Sequence, residues 1–335
     1  MTRRTRRQLL RGGLALAGLS LLAGCGRALP DVRRSAKVLR VGHLFRGHPT
    51  ATPVGRHALE AGLRDLGYVV GEQVIIESRG TEHPEQYPEL VADLLRVPVD
   101  LLVSHDSLAL RAAKEATGTL PIVMQGAGDP VGSGLVASLA RPGGNITGTT
   151  DSSPGLYAKQ LELLKAVAPG VSRVAVLLDR SHPGGGESGR ERESAAQALA
   201  MQLLYVDVRA PADFESAFET IVRGGADALF PARQPVTSSN RGRIVAFAAR
   251  SRLPATYPIR EYVDEGGLMA YGVNLASLHR HAATYVDKLL KGARPADLPV
   301  ERPTTFDFVI NLKTAQALGL IIPPSVLPQA TEVIE

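Results

Sequence analysis

The sequence contains little that a disulfide framework or a metal centre would need. Its 335 residues include a single cysteine, Cys25, which excludes disulfide bonds within the chain and clusters of thiolate metal ligands. No H-x-x-x-H spacing is present, and His279 and His281, two residues apart in a predicted helix, face different sides of it. We therefore expect these histidines, and His43 and His48, to be solvated or locally paired, with no metal and no cofactor bound.

The sequence also lacks the motifs that nucleophilic catalysis requires. A serine nucleophile commonly stands in a G-x-S-x-G turn between a strand and a helix, and Gly132-Ser133-Gly134 lacks that setting. The acidic side chains of Asp213 and Glu215 lie on the polar face of a predicted helix, where we expect them to be solvated. No catalytic residue is predicted, and we do not expect an enzyme.

Excess positive charge is confined to the N-terminus. The chain carries 38 basic and 33 acidic residues, a formal net charge of +5. Five of the arginines lie within residues 1–24, which contain no acid, so the rest of the chain has 33 basic residues against 33 acidic ones. Because nucleic-acid binding depends on clustered positive charge, we expect no nucleic-acid partner.

The N-terminus has the pattern of an export signal. An arginine-rich start precedes an apolar run at residues 14–23, which is too short for a comfortable bilayer span. The arginines fit both ordinary secretion and the twin-arginine route. The sequence Leu-Ala-Gly-Cys that ends at Cys25 matches the bacterial lipobox, in which the cysteine is lipidated. We predict a signal peptide over residues 1–24, a tether over residues 25–37, and a chain on the periplasmic face, lipid-anchored to the cell membrane.

From residue 38 onward, short apolar runs alternate with amphipathic stretches. This pattern predicts α/β architecture, with parallel sheets covered by helices on both faces. The alternation restarts after residue 150, with a helix over residues 154–167 and a strand over residues 173–178. We therefore predict two lobes of similar construction, joined by a hinge near residues 149–153. Later elements include one helix over residues 238–250.

The stretch from residue 126 to residue 150 is unusually rich in glycine. It follows a strand that ends at Gln125, and it predicts an acidic turn at Asp129-Pro130 and a short apolar helix over residues 135–140. A tight turn at residues 142–145 and a strand at residues 146–150 follow. Glycine at this density usually marks backbone that bends or approaches another group closely.

A rival hypothesis rests on residues 184–189, whose sequence has the form G-x-G-x-x-G. It follows a strand and precedes a helix, and Asp207 ends the next strand, as in a site for an NAD-type dinucleotide. In that motif the first glycine turns directly at the strand end, whereas five residues, 179–183, intervene here. We expect a surface loop, and the dinucleotide-dependent oxidoreductase stays an alternative.

Ligand binding in a cleft is the chemistry that the strand ends favour. In open α/β sheets, ligands lie beyond the C-terminal ends of the strands, where helix N-termini offer N–H groups and a positive dipole end to an anion. The candidate ligand-binding residues at such positions are Ser104, Asp106, Ser107, Asp129, Thr150, Asp151, Arg233, Tyr257, Tyr271 and Asn274. Hydroxyl and N–H groups at residues 104–107 could hold a carboxylate, and Asp129 could pair with an ammonium group. The alternatives are local: Asp129-Pro130 forms only a turn, and Ser107 only caps its helix.

Three segments resemble one family closely. They are GDPVGSGLVASLARPGGNITG at residues 128–148, GGLMAYG at residues 266–272, and the stretch from Ala293 to Leu320. Together they resemble the substrate-binding lipoproteins of ABC transporters, in the tryptophan/tyrosine-type group, over nearly all of the chain after the tether. Relatives often carry a Gly-Thr-Pro-type turn where this chain has His105-Asp106-Ser107, and an acid there would repel a ligand carboxylate unless it points away.

The resemblance implies a type I periplasmic-binding-protein fold with two Rossmann-like lobes and three crossings. By that analogy the N-terminal lobe takes residues 38–150 and 275–302, and the C-terminal lobe takes residues 151–274 and 303–335. It implies a monomer that closes over a small amino-acid-like ligand, with aromatic amino acids as one class. The partners implied are ABC permease subunits with a separate ATPase. A lobe that feeds a signalling receptor is an alternative that the residues leave open.

Overall fold

A computed structural model describes the chain at residues 37–48, 54–181 and 185–335, with the backbone alone at residues 185–188. The predicted signal peptide, the lipobox with Cys25 and all but the last residue of the tether lie outside the described residues. Val38–Glu335 forms one compact unit. Within it, strands and helices alternate along the chain as the apolar pattern predicts.

Strands and helices together cover most of this unit. The strands are β1 Leu39–Arg46, β2 Val74–Thr81, β3 Leu101–Ser104, β4 Ile122–Ala127, β5 Ile146–Thr150, β6 Arg173–Leu178, β7 Gln202–Asp207, β8 Ala228–Pro231, β9 Thr256–Tyr257, β10 Met269–Val273, β11 Phe306–Asn311 and β12 Glu332–Ile334. The helices are α1 Val54–Asp65, α2 Tyr87–Arg96, α3 Ser107–Ala116, α4 Leu156–Val167, α5 Gly185–Ala198, α6 Phe214–Arg223, α7 Pro235–Ser239, α8 Arg241–Arg250, α9 Glu261–Asp264, α10 Leu275–Leu290 and α11 Leu312–Leu318.

The first lobe is the five-stranded sheet β2-β1-β3-β4-β5 with helices α1, α2, α3 and α10. All four pairings in this sheet are parallel. Successive residues of each strand point to opposite faces, so neighbouring apolar residues serve different cores. Leu102 packs towards α2 and α3, whereas Leu101 and Val103 pack towards α1 and α10. A strand buried on both faces explains the unbroken apolar run of β3.

The second lobe contains the remaining strands and helices. Its two sheets, β7-β6-β8 and β9-β10-β11-β12, are connected by a parallel bridge between Leu229 and Ala255, where the Leu229 N–H donates to the Pro254 carbonyl at 3.0 Å. One core lies under α6 and α8, and it includes a stacked pair of rings, Phe218 and Phe247, with centroids 4.1 Å apart. A second core covers the opposite face.

The chain passes between the lobes three times. It leaves the first lobe after β5, returns as α10, and leaves again near Glu301, which is bonded to β5 through its own N–H to the Gly148 carbonyl at 3.0 Å. The last two crossings are bonded to each other, because the Asn274 N–H donates to the Thr305 carbonyl at 3.0 Å. These bonds place the three crossings side by side.

The predicted helix over residues 135–140 is wrong. The backbone there forms turns instead, with the N–H groups of Leu135 and Val136 both donating to the Pro130 carbonyl, at 2.9 and 3.0 Å. Gly134 adopts a φ of +71°, in the left-handed region that glycine favours. Burial of Leu135 and Val136 in the first-lobe core explains their apolar character.

Two other expectations also need correction. The predicted helix over residues 238–250 is divided at Asn240 into α7 and α8. Strand β11 runs antiparallel to β10, the one exception to the parallel pairing of the described strands. The reason is topological: the third crossing enters the second lobe at the end of the sheet where β10 leaves it.

Candidate functional site

A cavity of about 970 Å³ lies between the first and second lobes. It opens beyond the C-terminal ends of β3, β4, β6 and β8, the position at which α/β sheets collect ligands. Its volume is at the upper end of the range for small-molecule sites. Of the ten predicted ligand-binding residues, five line it: Asp106, Ser107, Asp129, Asp151 and Arg233.

Charge is distributed unequally between the two walls of the cavity. The first-lobe wall and the adjoining crossing carry three acidic side chains and one basic one: Asp106, Asp129, Asp151 and Arg46. The second-lobe wall carries five arginines and two acids: Arg180, Arg190, Arg192, Arg233, Arg241, Asp179 and Glu193. The potential across the cavity therefore runs from negative on the first-lobe side to positive on the second-lobe side.

Asp106 caps helix α3. Its Oδ1 accepts from the N–H groups of Leu108 and Ala109, at 2.8 and 3.1 Å, and its own N–H donates to Ser104 Oγ at 3.1 Å. Ser107 is the first helical residue, so the prediction that Ser107 is the cap was wrong. Because one Asp106 oxygen already occupies this helix N-terminus, a ligand carboxylate has no access to those two N–H groups.

Asp129 forms the predicted turn and also lines the cavity. Its Oδ1 accepts from the Gly132 N–H at 2.8 Å, and its carbonyl accepts from the N–H and the hydroxyl of Ser133, at 3.0 and 2.8 Å. Its φ of +31° is uncommon for a residue with a side chain. Asp129 therefore forms the turn and faces the cavity at the same time.

The end of the first crossing is held to the second lobe by an ion pair. The Arg233 guanidinium, just beyond β8, contacts the carboxylate of Asp151, whose side chain is 7% exposed. Burial lowers the pKa of Arg233 to about 10, which still leaves it charged at neutral pH. Thr150 is turned away, since its hydroxyl donates to the Ala127 carbonyl at 2.6 Å.

The remaining candidates lie outside the cavity lining. Ser104 is buried beneath Asp106, and Tyr257 stacks on Tyr262 in the second-lobe core with centroids 4.8 Å apart. Tyr271 packs on Phe306 and Phe308. Asn274 caps α10 through its side-chain oxygen, which accepts from the Ser277 N–H at 2.7 Å. Their roles are structural in this arrangement of the chain.

A cluster of histidines that no sequence motif marks lies on the first-lobe side of the cavity. His105 and His279 line the cavity with ring centroids 5.8 Å apart, and His43 lies behind them, fully buried. The expectation of a solvated or locally paired ring was wrong for His279, which is buried and whose Nδ1 has no hydrogen-bond partner among the described residues, whereas the buried His43 lies beside the Gln125 side chain.

These imidazoles are held neutral. Burial, together with the nearby His105 ring and the charge of Arg56, lowers the pKa of His43 to about 3. Burial also lowers the pKa of His105, against the opposing effect of the Asp106 carboxylate, and that of His279, and the charge of Arg233 lowers both. The described residues contain no group of acidic, histidine or cysteine side chains arranged to hold a metal ion. The cluster thus supplies uncharged donors and acceptors to the cavity.

The second-lobe wall also carries two tyrosines that the sequence did not single out. Tyr157 and Tyr205 line the cavity, and each has an arginine over its ring, Arg192 at 4.8 Å and Arg180 at 5.3 Å from the centroid. No local motif marks them, since Tyr205 stands within a strand and Arg192 within a helix.

The glycine-rich segment at residues 184–189 does not form the expected surface loop. Helix α5 begins at Gly185, so most of the segment is helical. The acid that a dinucleotide would need is occupied, because Asp207 accepts from the Arg180 N–H at 2.9 Å and from Arg209 Nε at 2.9 Å. The described geometry therefore gives the dinucleotide hypothesis no support.

Comparison with known proteins decides the family. The profile of one family, described as ABC transporter substrate binding protein, matches residues 48–334. The chain belongs to this family. Substrate-binding proteins of ABC transporters are extracytoplasmic, bind small ligands and work with permease and ATPase subunits, and they are solute-binding proteins rather than enzymes.

Individual relatives agree with this assignment. The chain is 24% identical over 313 residues to a tyrosine-binding protein of Clostridioides difficile (strain R20291), covering 90% of this chain and 89% of the relative. It is similar to an ABC domain from Streptococcus pneumoniae in complex with L-Trp, with a TM-score of 0.82 and 28% identity over 88% of this chain and 99% of that one. It also matches a conserved domain protein from Vibrio cholerae, with a TM-score of 0.83 and 26% identity over 89% of this chain and 100% of that one.

The fold is thus the type I periplasmic-binding-protein architecture, with two Rossmann-like lobes and a cleft between them, as the resemblance implied. Of the helices in the described ranges, none combines the length and the apolar character that crossing a bilayer requires.

Proposed function

We propose that the chain is the extracytoplasmic solute-binding component of an ABC importer, and that its ligand is an amino acid or a close analogue. The lobes proposed for closure are residues 38–150 with 275–302, and residues 151–274 with 303–335. The contact between Arg233 and Asp151 supports placing Asp151 with the second lobe, because Arg233 follows β8 of that lobe. No catalytic step is proposed for the chain.

The main support for an amino-acid ligand is the separation of charge across the cavity. A free amino acid has an ammonium group and a carboxylate on the same carbon, so it is a dipole of fixed sense. The acidic side chains Asp129 and Asp151 face arginines of the second lobe, led by Arg233. Charge complementarity of this kind orients a zwitterion and disfavours ligands with only one of the two charges.

The ligand's side chain is proposed to be aromatic. Tyr157, Tyr205 and the neutral rings of His105 and His279 line the cavity and offer flat, weakly polar surfaces. The relatives support the same class, because one is named for tyrosine and another was solved with L-Trp. Neutral imidazole nitrogens could bond a phenol or an indole N–H without an added charge.

We also propose that the chain is exported and anchored to the membrane by a lipid. Residues 1–24 serve as the signal peptide, the lipid on Cys25 anchors the mature chain to the membrane, and residues 25–37 tether the lobes. A monomer is proposed, since a cleft within one chain suffices to enclose a ligand. Mass spectrometry of the mature protein from membranes tests the anchor: an unmodified Cys25 would contradict it.

Thermal melting with a panel of amino acids tests the ligand class. A ligand at a hundredfold excess over its Kd stabilises the folded state by about 2.7 kcal/mol, which corresponds to roughly 5 °C for a chain of this size. We expect such a shift for at least one of L-tryptophan, L-tyrosine and L-phenylalanine. The variant Asp129→Asn should reduce the shift, and the exposed Asp297→Asn should leave it unchanged. A folded protein that responds to none of the amino acids would contradict the proposal.

A further inference from the structure

Arg192 is a buried cation in the second-lobe wall of the cavity. The residue is 3% exposed, its guanidinium lies over the Tyr157 ring at 4.8 Å, and its Nε has no hydrogen-bond partner among the described residues. A buried charge is costly unless it is paired, and stacking on a ring offsets only part of that cost. The side chain therefore retains the capacity to bind an anion.

A second cation lies on the same wall. The guanidinium of Arg180 stands over the Tyr205 ring at 5.3 Å, and both residues line the cavity with Arg192. Of the other arginines of that wall, Arg241 pairs with Glu265 at 2.5 Å, and Arg233 contacts Asp151 but keeps 30% of its side chain exposed.

Glu193 also lines the cavity, and its hydrogen bond to Tyr205 adds to the effect of burial in raising the pKa of that phenol. Two other nearby carboxylates have partners elsewhere. Glu191 Oε1 accepts from the N–H groups of Tyr157 and Ala158, at 2.8 and 3.2 Å, and Asp179 Oδ1 accepts from Ser181. Within the described part of the chain, no ion pair joins a carboxylate to Arg192 or Arg180. The two stacked guanidinium groups are thus a preformed, incompletely paired positive surface facing the cavity.

This surface is separate from Arg233. Tyr205 belongs to β7 and Arg233 follows β8, and β6 lies between these strands in the sheet. Arg180 follows β6 and Arg192 belongs to α5, so the two arginines of this surface and Arg233 stand on three different elements.

We propose that Arg192 and Arg180, stacked on Tyr157 and Tyr205, form a second anion subsite that binds an anionic group at the far end of the ligand's side chain. The inference rests on the proposed function, since the ligand's own ammonium and carboxylate occupy the Asp129 and Arg233 end. The ligand class is then an amino acid whose side chain ends in a carboxylate or a phosphate. Guanidinium groups suit both, because their paired donors match two anionic oxygens.

Calorimetric titration with matched amino acids tests this subsite. The probes are 4-carboxy-L-phenylalanine and O-phospho-L-tyrosine, with 4-carbamoyl-L-phenylalanine as the neutral isostere of the first. We expect at least one anionic probe to bind about 10- to 100-fold more tightly than its neutral counterpart, L-tyrosine being the counterpart of the phosphate, because bonds to charged groups are the stronger ones. Whichever of the two binds more tightly identifies carboxylate or phosphate as the preferred group.

Two variants test whether Arg192 causes the preference for the anionic probes. Arg192→Met keeps a long unbranched side chain beside Tyr157 and removes the guanidinium charge, so it should abolish the preference for the anionic probes and leave binding of the neutral probes within about threefold. Arg223→Met, at an exposed position on α6, is the matched control and should change neither.

The outcomes separate the inference from the proposed function. If neutral probes bind as tightly as anionic ones, or if Arg192→Met preserves the preference, the subsite is refuted while amino-acid binding stands. If circular dichroism shows that Arg192→Met does not fold, the same calorimetric titrations of Arg180→Met decide the question. If no amino acid binds the folded wild-type protein, the proposed function fails and the subsite falls with it.

Discussion

Replacing Arg233 by methionine should destabilise the protein mainly because Asp151 loses its cation, rather than because packing is lost. Asp151 is 7% exposed at its side chain and Arg233 is 30% exposed, so the substitution leaves a buried carboxylate without its cation. Removing one member of a fully buried ion pair costs about 3–5 kcal/mol. Because nearly a third of the guanidinium faces solvent, we expect about 2 kcal/mol, which corresponds to a melting temperature roughly 4 °C lower.

A double-mutant cycle isolates the pair from other effects. Asp151→Asn together with Arg233→Met should recover most of the lost melting temperature, because neither charge is then left unpaired. Ligand affinity should stay weak in the double variant, since the cation that faces the ligand is still missing. The exposed pair Arg243 and Glu215, 2.9 Å apart, is the control, and Arg243→Met should cost less than about 1 kcal/mol. Additive melting shifts for the single variants, with no recovery in the double variant, would refute the assignment of this pair.

Two further predictions concern the first-lobe side of the cavity. Asp106→Ala should lower stability by about 1 kcal/mol because Leu108 and Ala109 lose their N-cap, whereas Asp106→Asn keeps the cap and should melt within about 1 °C of the wild type; equal losses in urea unfolding would contradict a capping role. The pKa of His43 is lowered to about 3 in the folded state, below its unfolded value near 6.5, so its contribution to stability is present above pH 6.5 and lost as the pH falls towards 3. His43→Gln should therefore flatten the melting temperature between pH 6.5 and pH 4, and an unchanged slope would show that this histidine is not buried as a neutral ring.

The fold was predictable from the sequence because apolar periodicity is a local property. Strand β6 was predicted with the observed bounds, since it is a compact apolar run between turn residues. The helix expected at residues 135–140 failed for a tertiary reason: Leu135 and Val136 are apolar because they enter the core of the first lobe, and nothing in their spacing distinguishes that from a short helix.

Of the site residues, only those whose location follows from standing directly after a strand could be predicted. Asp129 and Asp151 follow strand ends, and the topology of a parallel sheet brings such positions to one edge. Tyr257 also stands at a strand end, but strand alternation turns it into the core. Arg192 could not have been found, since a single arginine within a polar helix indicates a solvated face until the neighbouring helix places Tyr157 beneath it.

The central claim is that the cleft binds a zwitterion by its two opposite charges, and calorimetric titration of one amino acid with its two singly charged derivatives tests it most directly. The three probes are L-tyrosine, its N-acetyl derivative and its amide, which differ at the groups that Asp129 and Arg233 are proposed to meet. We predict that L-tyrosine binds at least about tenfold more tightly than either derivative, because each derivative leaves one charged group of the cleft unpaired. Equal affinity for all three, in a protein that is folded and binds them, would contradict the claim.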